Sequence, residues 1–132
     1  MTNQEIAREL RTSVEDDGRV TCAAMHRIAR KLGVEPLEVG GAATEADIHA
    51  SQCQLGLFGH SARGQGKGRI VRGDVDVSDE LAEHMRSAVV GGRLPCAAAW
   101  DIATELKLSR LDLGNAAETL DIPIAPCQLG FF

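Results

Sequence analysis

Four cysteines, Cys22, Cys53, Cys96 and Cys127, are the residues of this chain best suited to chemistry. As thiolates they would be nucleophiles and soft metal ligands. Cys22 and Cys96 each open a Cys-Ala-Ala run, whereas Cys53 and Cys127 each open a Cys-Gln-Leu-Gly run. The partners lie 31 residues apart in both pairs, without the Cys-x-x-Cys form of a zinc ribbon. Several readings stay open. Buried thiols behave as small apolar side chains, so packing alone accounts for equivalent placement. A helix N-terminus lowers a thiol pKa, which would make Cys22 and Cys96 thiolates fit for metal or redox work. If the pairs meet, four thiolates could ligate zinc or an iron–sulfur cluster. Disulfides Cys22–Cys53 and Cys96–Cys127 are disfavoured in a reducing cytosol. His26, four residues after Cys22, and His49, four before Cys53, add an alternative Cys2His2 zinc site. It is confined to one half, because Trp100 and Pro123 stand at the equivalent places.

The equivalence of these positions comes from an internal duplication. Residues 22–58 lie over residues 96–132 at a constant offset of 74 without a gap, and 17 of the 37 positions are identical. Upstream, Ile6-Ala7-Arg8-Glu9-Leu10-Arg11 resembles Leu81-Ala82-Glu83-His84-Met85-Arg86 with one residue of slack. Each unit is close to the smallest size that folds alone, so the copies are expected to pack together as a fused homodimer would.

Each unit reads as helix, turn, helix, helix and extended tail. Ile6, Leu10 and Val14 recur at i, i+4 and i+8 on a first helix capped by Thr2, with Ser78 capping its counterpart. Ile28, Ala29 and Leu32, and Ile102, Ala103 and Leu106, stripe a second helix. Pro36 and Ser109 suit the start of a third, whose Leu37, Gly40, Ala43 and Leu111, Gly114, Ala117 include small residues that permit close helix packing. Pro123 and Pro126 then forbid helix in the second tail.

The run from Ile28 to Ala43, IARKLGVEPLEVGGAA, resembles a helix-turn-helix: Ala in the first helix, Gly33 at the turn, an apolar residue early in the second. The second copy is similar, with Lys107 in place of the turn glycine. The resemblance covers about 20 residues per unit and implies that the third helix enters the DNA major groove. In the first copy the outward residues are dominated by Glu35, Glu38 and Glu45, which repel phosphate. In the second, Ser109, Arg110 and Asn115 are the candidate DNA contacts, Arg110 suiting guanine and Asn115 adenine. Arg63, Lys67, Arg69 and Arg72 of the connecting segment add candidate phosphate or minor-groove contacts, against the alternative of a solvated connector. Separately, the Cys-Gln-Leu-Gly-x-Phe tails, Cys53 to Phe58 and Cys127 to Phe132, resemble short proteins of anaerobic bacteria labelled as molybdate-type regulators.

Composition bounds these readings. The 132 residues are 44% hydrophobic and 25% charged, as in ordinary globular proteins, with only 3% aromatic, so the core must be aliphatic. The net charge of −5 argues against a wholly electrostatic nucleic-acid binder. Residues 1–58 carry 6 basic and 9 acidic side chains, residues 77–132 carry 4 and 8, and only residues 59–76, with 4 and 2, are positive. No apolar run approaches the roughly 20 residues of a membrane span, and the start lacks a signal-peptide pattern, so a cytoplasmic location is expected. Gly64-Gln65-Gly66-Lys67-Gly68 misses the phosphate-loop pattern and no nucleophile elbow occurs, so no enzyme is expected. The clusters Glu15-Asp16-Asp17 and Asp74/Asp76 lack calcium-loop spacing. His60 and His84 read as surface residues, and Trp100 as a packing contact between repeats.

The fold expected is therefore mainly α: two helix-turn-helix-like three-helix repeats, residues 1–58 and 77–132, joined by a Gly-rich basic linker, residues 59–76. The repeats have short extended tails and pack as a pseudo-two-fold dimer. The first functional reading is a non-catalytic regulatory or binding module acting on DNA. The second is a cysteine-based metal or iron–sulfur protein in an accessory or redox role. The third is a protein-interaction module using Leu129 to Phe132 against a partner or a second copy.

Overall fold

The computed structural model describes residues 2–60 and 68–132, and it is mainly helical. The first half comprises α1 (Asn3–Thr12), β1 (Val20–Thr21), α2 (Cys22–Leu32), α3 (Pro36–Glu45) and β2 (Ala50–Ser51). The second comprises α4 (Asp79–Ser87), α5 (Cys96–Glu105) and α6 (Arg110–Thr119). Among the described residues no helix is long and apolar enough to cross a membrane.

Local chemistry sets the helix starts. The hydroxyls of Thr2, Thr21, Ser78 and Ser109 accept hydrogen bonds from Glu5, Ala24, Leu81 and Asp112 backbone N–H groups at 3.0–3.2 Å. Each satisfies a donor that has no partner within the helix. Asp112 returns the bond to the Ser109 N–H at 3.2 Å, closing a capping box. Pro36 occupies the first turn of α3, where its missing N–H costs nothing. At the other end of α2, Gly33 takes a left-handed backbone with φ 68°; at the equivalent place after α5, Lys107 adopts φ 59° despite its side chain. One expectation changes here. The Ile6–Leu10–Val14 periodicity runs past the helix, which stops at Thr12 with Ser13 as its cap, and Val14 is exposed.

The two halves repeat each other's contacts at the offset of 74. Val20 pairs in parallel with Ala50, and Leu94 with Ile124. Beyond these pairs the tails cross over. The core of the first half, built on Ile6, Leu10, Met25, Ile28 and Val39, includes Cys127 and Leu129 from the second tail. The core of the second, built on Met85, Leu94, Ile102 and Leu113, includes Cys53 and Leu55 from the first tail. The crossing relies on two glycines. A Cβ at Gly40 would land inside the Leu129 carbonyl oxygen, and one at Gly114 inside that of Leu55. Gly40 and Gly114 thus admit a crossing backbone segment, while α3 packs against α1 and α2, and α6 against α5, as the small residues of the third helices suggested.

Each tail is a closed loop. Cys53 N–H donates to the Phe58 carbonyl at 3.1 Å and Gly56 N–H to the Cys53 carbonyl at 3.0 Å. Cys127 and Phe132 at 2.7 Å, with Gly130 and Cys127 at 3.0 Å, repeat the pattern. The described end of the connecting segment is bound to the first tail and to α6. Ile70 N–H donates to the Gly56 carbonyl at 2.9 Å and Arg72 N–H to Asn115 Oδ1 at 2.8 Å. Arg69 pairs with Glu118 at 2.6 Å.

Candidate thiolate centre

The tail exchange puts one cysteine from each half into each core: Cys127 joins Cys22 in the first, and Cys53 joins Cys96 in the second. Cys22 and Cys96 sit at the first residues of α2 and α5, and Cys53 and Cys127 begin the two crossing loops. All four are buried and none is in a disulfide. One turn along α2 and α5 the equivalent residues His26 and Trp100 meet, with ring centroids 4.4 Å apart. Trp100 and Phe58 pack against both cores.

Hydrogen-bond donors are aimed at the sulfurs. Gln128 Nε2 lies 3.5 Å from Cys96 Sγ, and the Gln128 backbone also donates to that thiol. Leu129 N–H donates to Cys127 Sγ at 3.4 Å. The Gln54 backbone donates to the Cys22 sulfur. Every one of these donors belongs to a Cys-Gln-Leu-Gly loop. Such bonds stabilise the anionic form of sulfur, the form that binds metal.

Burial acts the other way and is stronger. It pushes the Cys22 thiol up to about 12, against the lowering effect of Gln54, and the nearby Cys53, Cys96 and Cys127 raise it further. Cys96 is raised for the same reason, opposed by Gln128. The expectation that a helix N-terminus makes these two cysteines thiolates is therefore corrected: for these buried thiols the loss of water outweighs the helix end. Among the described residues no three His, Cys, Asp or Glu side chains are drawn together as ligands of a metal ion.

The histidines do not join them. His26 is buried against Trp100, and burial, then Arg110 and Arg30, lowers its pKa to about 4. His49 is exposed and lies 3.5 Å from Asp47, so the Cys2His2 arrangement of the first half is not assembled. His60, read as a surface residue, is half-buried and donates through Nε2 to the Cys53 carbonyl at 2.6 Å.

The candidate DNA contacts are held within the protein. The Arg110 guanidinium stacks 3.5 Å over the Trp100 ring and donates to Gln54 Oε1 at 3.2 Å. Asn115 accepts from the Arg72 backbone, Ser109 caps α6, Arg69 pairs with Glu118, and Arg72 pairs with Asp74 at 3.0 Å. Arg63 and Lys67 lie outside the described residues. Sequence reasoning missed Gln54 and Gln128 as neighbours of the thiols. The identity of Cys-Gln-Leu-Gly in both copies was the available signal, since packing needs only its leucine. Compared with models of known families, with curated proteins and with solved structures, the chain matches none.

Proposed function

We propose that the chain is a thiolate-based metal-binding protein whose single centre is shared by the two repeats through Cys22, Cys53, Cys96 and Cys127. The observation that carries this reading is the convergence of loop N–H donors on the sulfurs of buried, unpaired cysteines in the two cores. A cysteine kept only for packing needs no such donors. A bound cation supplies the charge that burial withholds, and coordination deprotonates a thiol outright. The Gln54 and Gln128 contacts then act as the outer ring that orients and tunes the ligands. Formation of the site joins the two halves, so occupancy and the packing of the repeats are coupled.

The helix-turn-helix reading, with DNA as partner, draws support from the helix order of each half. Against it, Arg110, Asn115, Arg69 and Arg72 are engaged with neighbouring groups of the chain, and α3 exposes the carboxylates of Glu35, Glu38 and Glu45, which repel phosphate. The test of the metal reading is elemental analysis of the full chain purified without oxygen or chelator. Stoichiometric metal that is lost on Cys96→Ala supports it. Metal-free protein with four titratable thiols, purified under those conditions and unable to take up added metal, overturns it.

A further inference from the structure

We propose that the cavity between α6 and the ends of the two tails binds a small organic cation, a protonated amine with an apolar or aromatic body. The inference uses none of the four thiols and goes beyond the metal-binding reading. The cavity holds about 540 Å³, within the range of small-molecule sites. Its walls are mostly apolar: Leu57 and Phe58 from the first tail, Ile122 and Ile124 after α6, and Phe132 from the second tail. Backbone hydrogen bonds hold these walls in place. Cys53 N–H binds the Phe58 carbonyl and Cys127 N–H the Phe132 carbonyl, so both rings end closed loops. The rings meet edge to face, with centroids 5.9 Å apart and planes at 85°, so the edge-on ring keeps both of its faces clear of the other. Beside them, the Ile70 N–H to Gly56 bond and the Arg69–Glu118 pair tie the connecting segment to the first tail and to α6.

Charge decides the class of ligand. The charged side chains of the lining are Arg69, Glu118 and Asp121. Arg69 and Glu118 neutralise each other at 2.6 Å. The Asp121 carboxylate is exposed just after α6 and makes no hydrogen bond or ion pair among the described residues. The lining therefore carries one unbalanced negative charge, in a half of the chain with 4 basic and 8 acidic side chains. A cation is drawn both to that carboxylate and to the ring faces, whereas an anion is repelled by both. The apolar walls meanwhile favour a ligand whose charge sits at one end of an apolar body. Asp121 has a left-handed backbone with φ 58°, a conformation that asparagine adopts as readily, so its charge can be removed without disturbing the chain path.

The test titrates the full chain, at neutral pH and low salt, with three probes of similar shape: phenethylamine, phenethyl alcohol and phenylacetate. Amide NMR shifts locate the site and give the affinity. The expected result is saturable shifts at Phe58, Asp121 and Ile122, with the amine binding about twofold to fivefold more tightly than the alcohol and phenylacetate more weakly than either. Asp121→Asn should lower the amine to the level of the alcohol while leaving alcohol binding and the circular dichroism spectrum unchanged. Phe132→Ala should weaken amine and alcohol together. An amine that binds no better than the alcohol, or a preference that survives Asp121→Asn, overturns the assignment of a cation. Absence of localised shifts with all three probes, up to their solubility limits, overturns the site itself.

Discussion

Replacing Gly40 by alanine tests the tail exchange on which the centre depends. The new Cβ would collide with the Leu129 carbonyl oxygen and lie 2.7 Å from its carbonyl carbon, both backbone atoms that cannot rotate aside. The second tail must therefore lift from α3. Leu129 is 1% exposed, and returning such a side chain to water costs about 1.5–3 kcal/mol. Alanine in a helix interior gives back up to about 1 kcal/mol relative to glycine. The net expected loss is about 0.5–2 kcal/mol, before any penalty for the space opened beside Leu129. Gly41, the next residue, is the control: a Cβ there meets nothing within 4 Å. Gly41→Ala should stabilise by about 0.5–1 kcal/mol. Urea unfolding of the metal-free chain, followed by circular dichroism, measures both, and the midpoints should move in opposite directions. Gly114→Ala should reproduce the Gly40→Ala loss through Leu55. Equal, stabilising midpoints for Gly40→Ala and Gly41→Ala would refute the seating of the tail on α3.

Other outcomes follow from the buried contacts. Because the folded His26 is held neutral near pH 4 against an ordinary value of 6.5, its contribution is complete above pH 6.5 and is lost as pH falls towards 4. A urea midpoint measured across that range should fall, and His26→Phe, which keeps an aromatic face for Trp100, should flatten the fall. Cys22 has the opposite sense: its thiol is raised from 9.0 to about 12, so metal-free protein should lose stability as pH climbs above 9, and Cys22→Ala should lose less. Arg110→Ala removes the stacking on Trp100 and the bond to Gln54, costing about 1 kcal/mol and changing the tryptophan fluorescence. An unchanged emission spectrum would contradict the contact. Lys107→Gly relieves a side chain at φ 59° and should raise the urea midpoint by about 1 kcal/mol equivalent, whereas Gly33→Lys should lower it.

Much of the architecture was legible because the duplication reports itself twice. The caps at Thr2, Ser78 and Ser109 and the first-turn Pro36 follow from side chains that satisfy helix ends in any context. The exchange of tails was not legible, and the reason is physical: Leu55 and Leu129 are the same residue in the same motif, so either core accepts either tail. The choice is fixed by chain path and by the backbone approach at Gly40 and Gly114, where spacing alone suggested helix packing. The cysteines were visible as equivalent residues, but their ionisation was misjudged, since helix-end electrostatics can be read locally whereas burial depends on the opposite half. Arg110 and Asn115 looked outward because the helix pattern does not reveal that Trp100 and the Arg72 backbone lie against them.

The central claim is that one centre draws a ligand from each of Cys22, Cys53, Cys96 and Cys127. The most direct measurement is metal content per chain across the four single Cys→Ala variants, all purified without oxygen and all verified as folded. The account predicts one centre in the unaltered chain and its loss from every variant, including those altered in opposite halves. Half the content remaining in each variant would mean two separate sites, one per repeat, and full content in any variant would remove that cysteine from the centre.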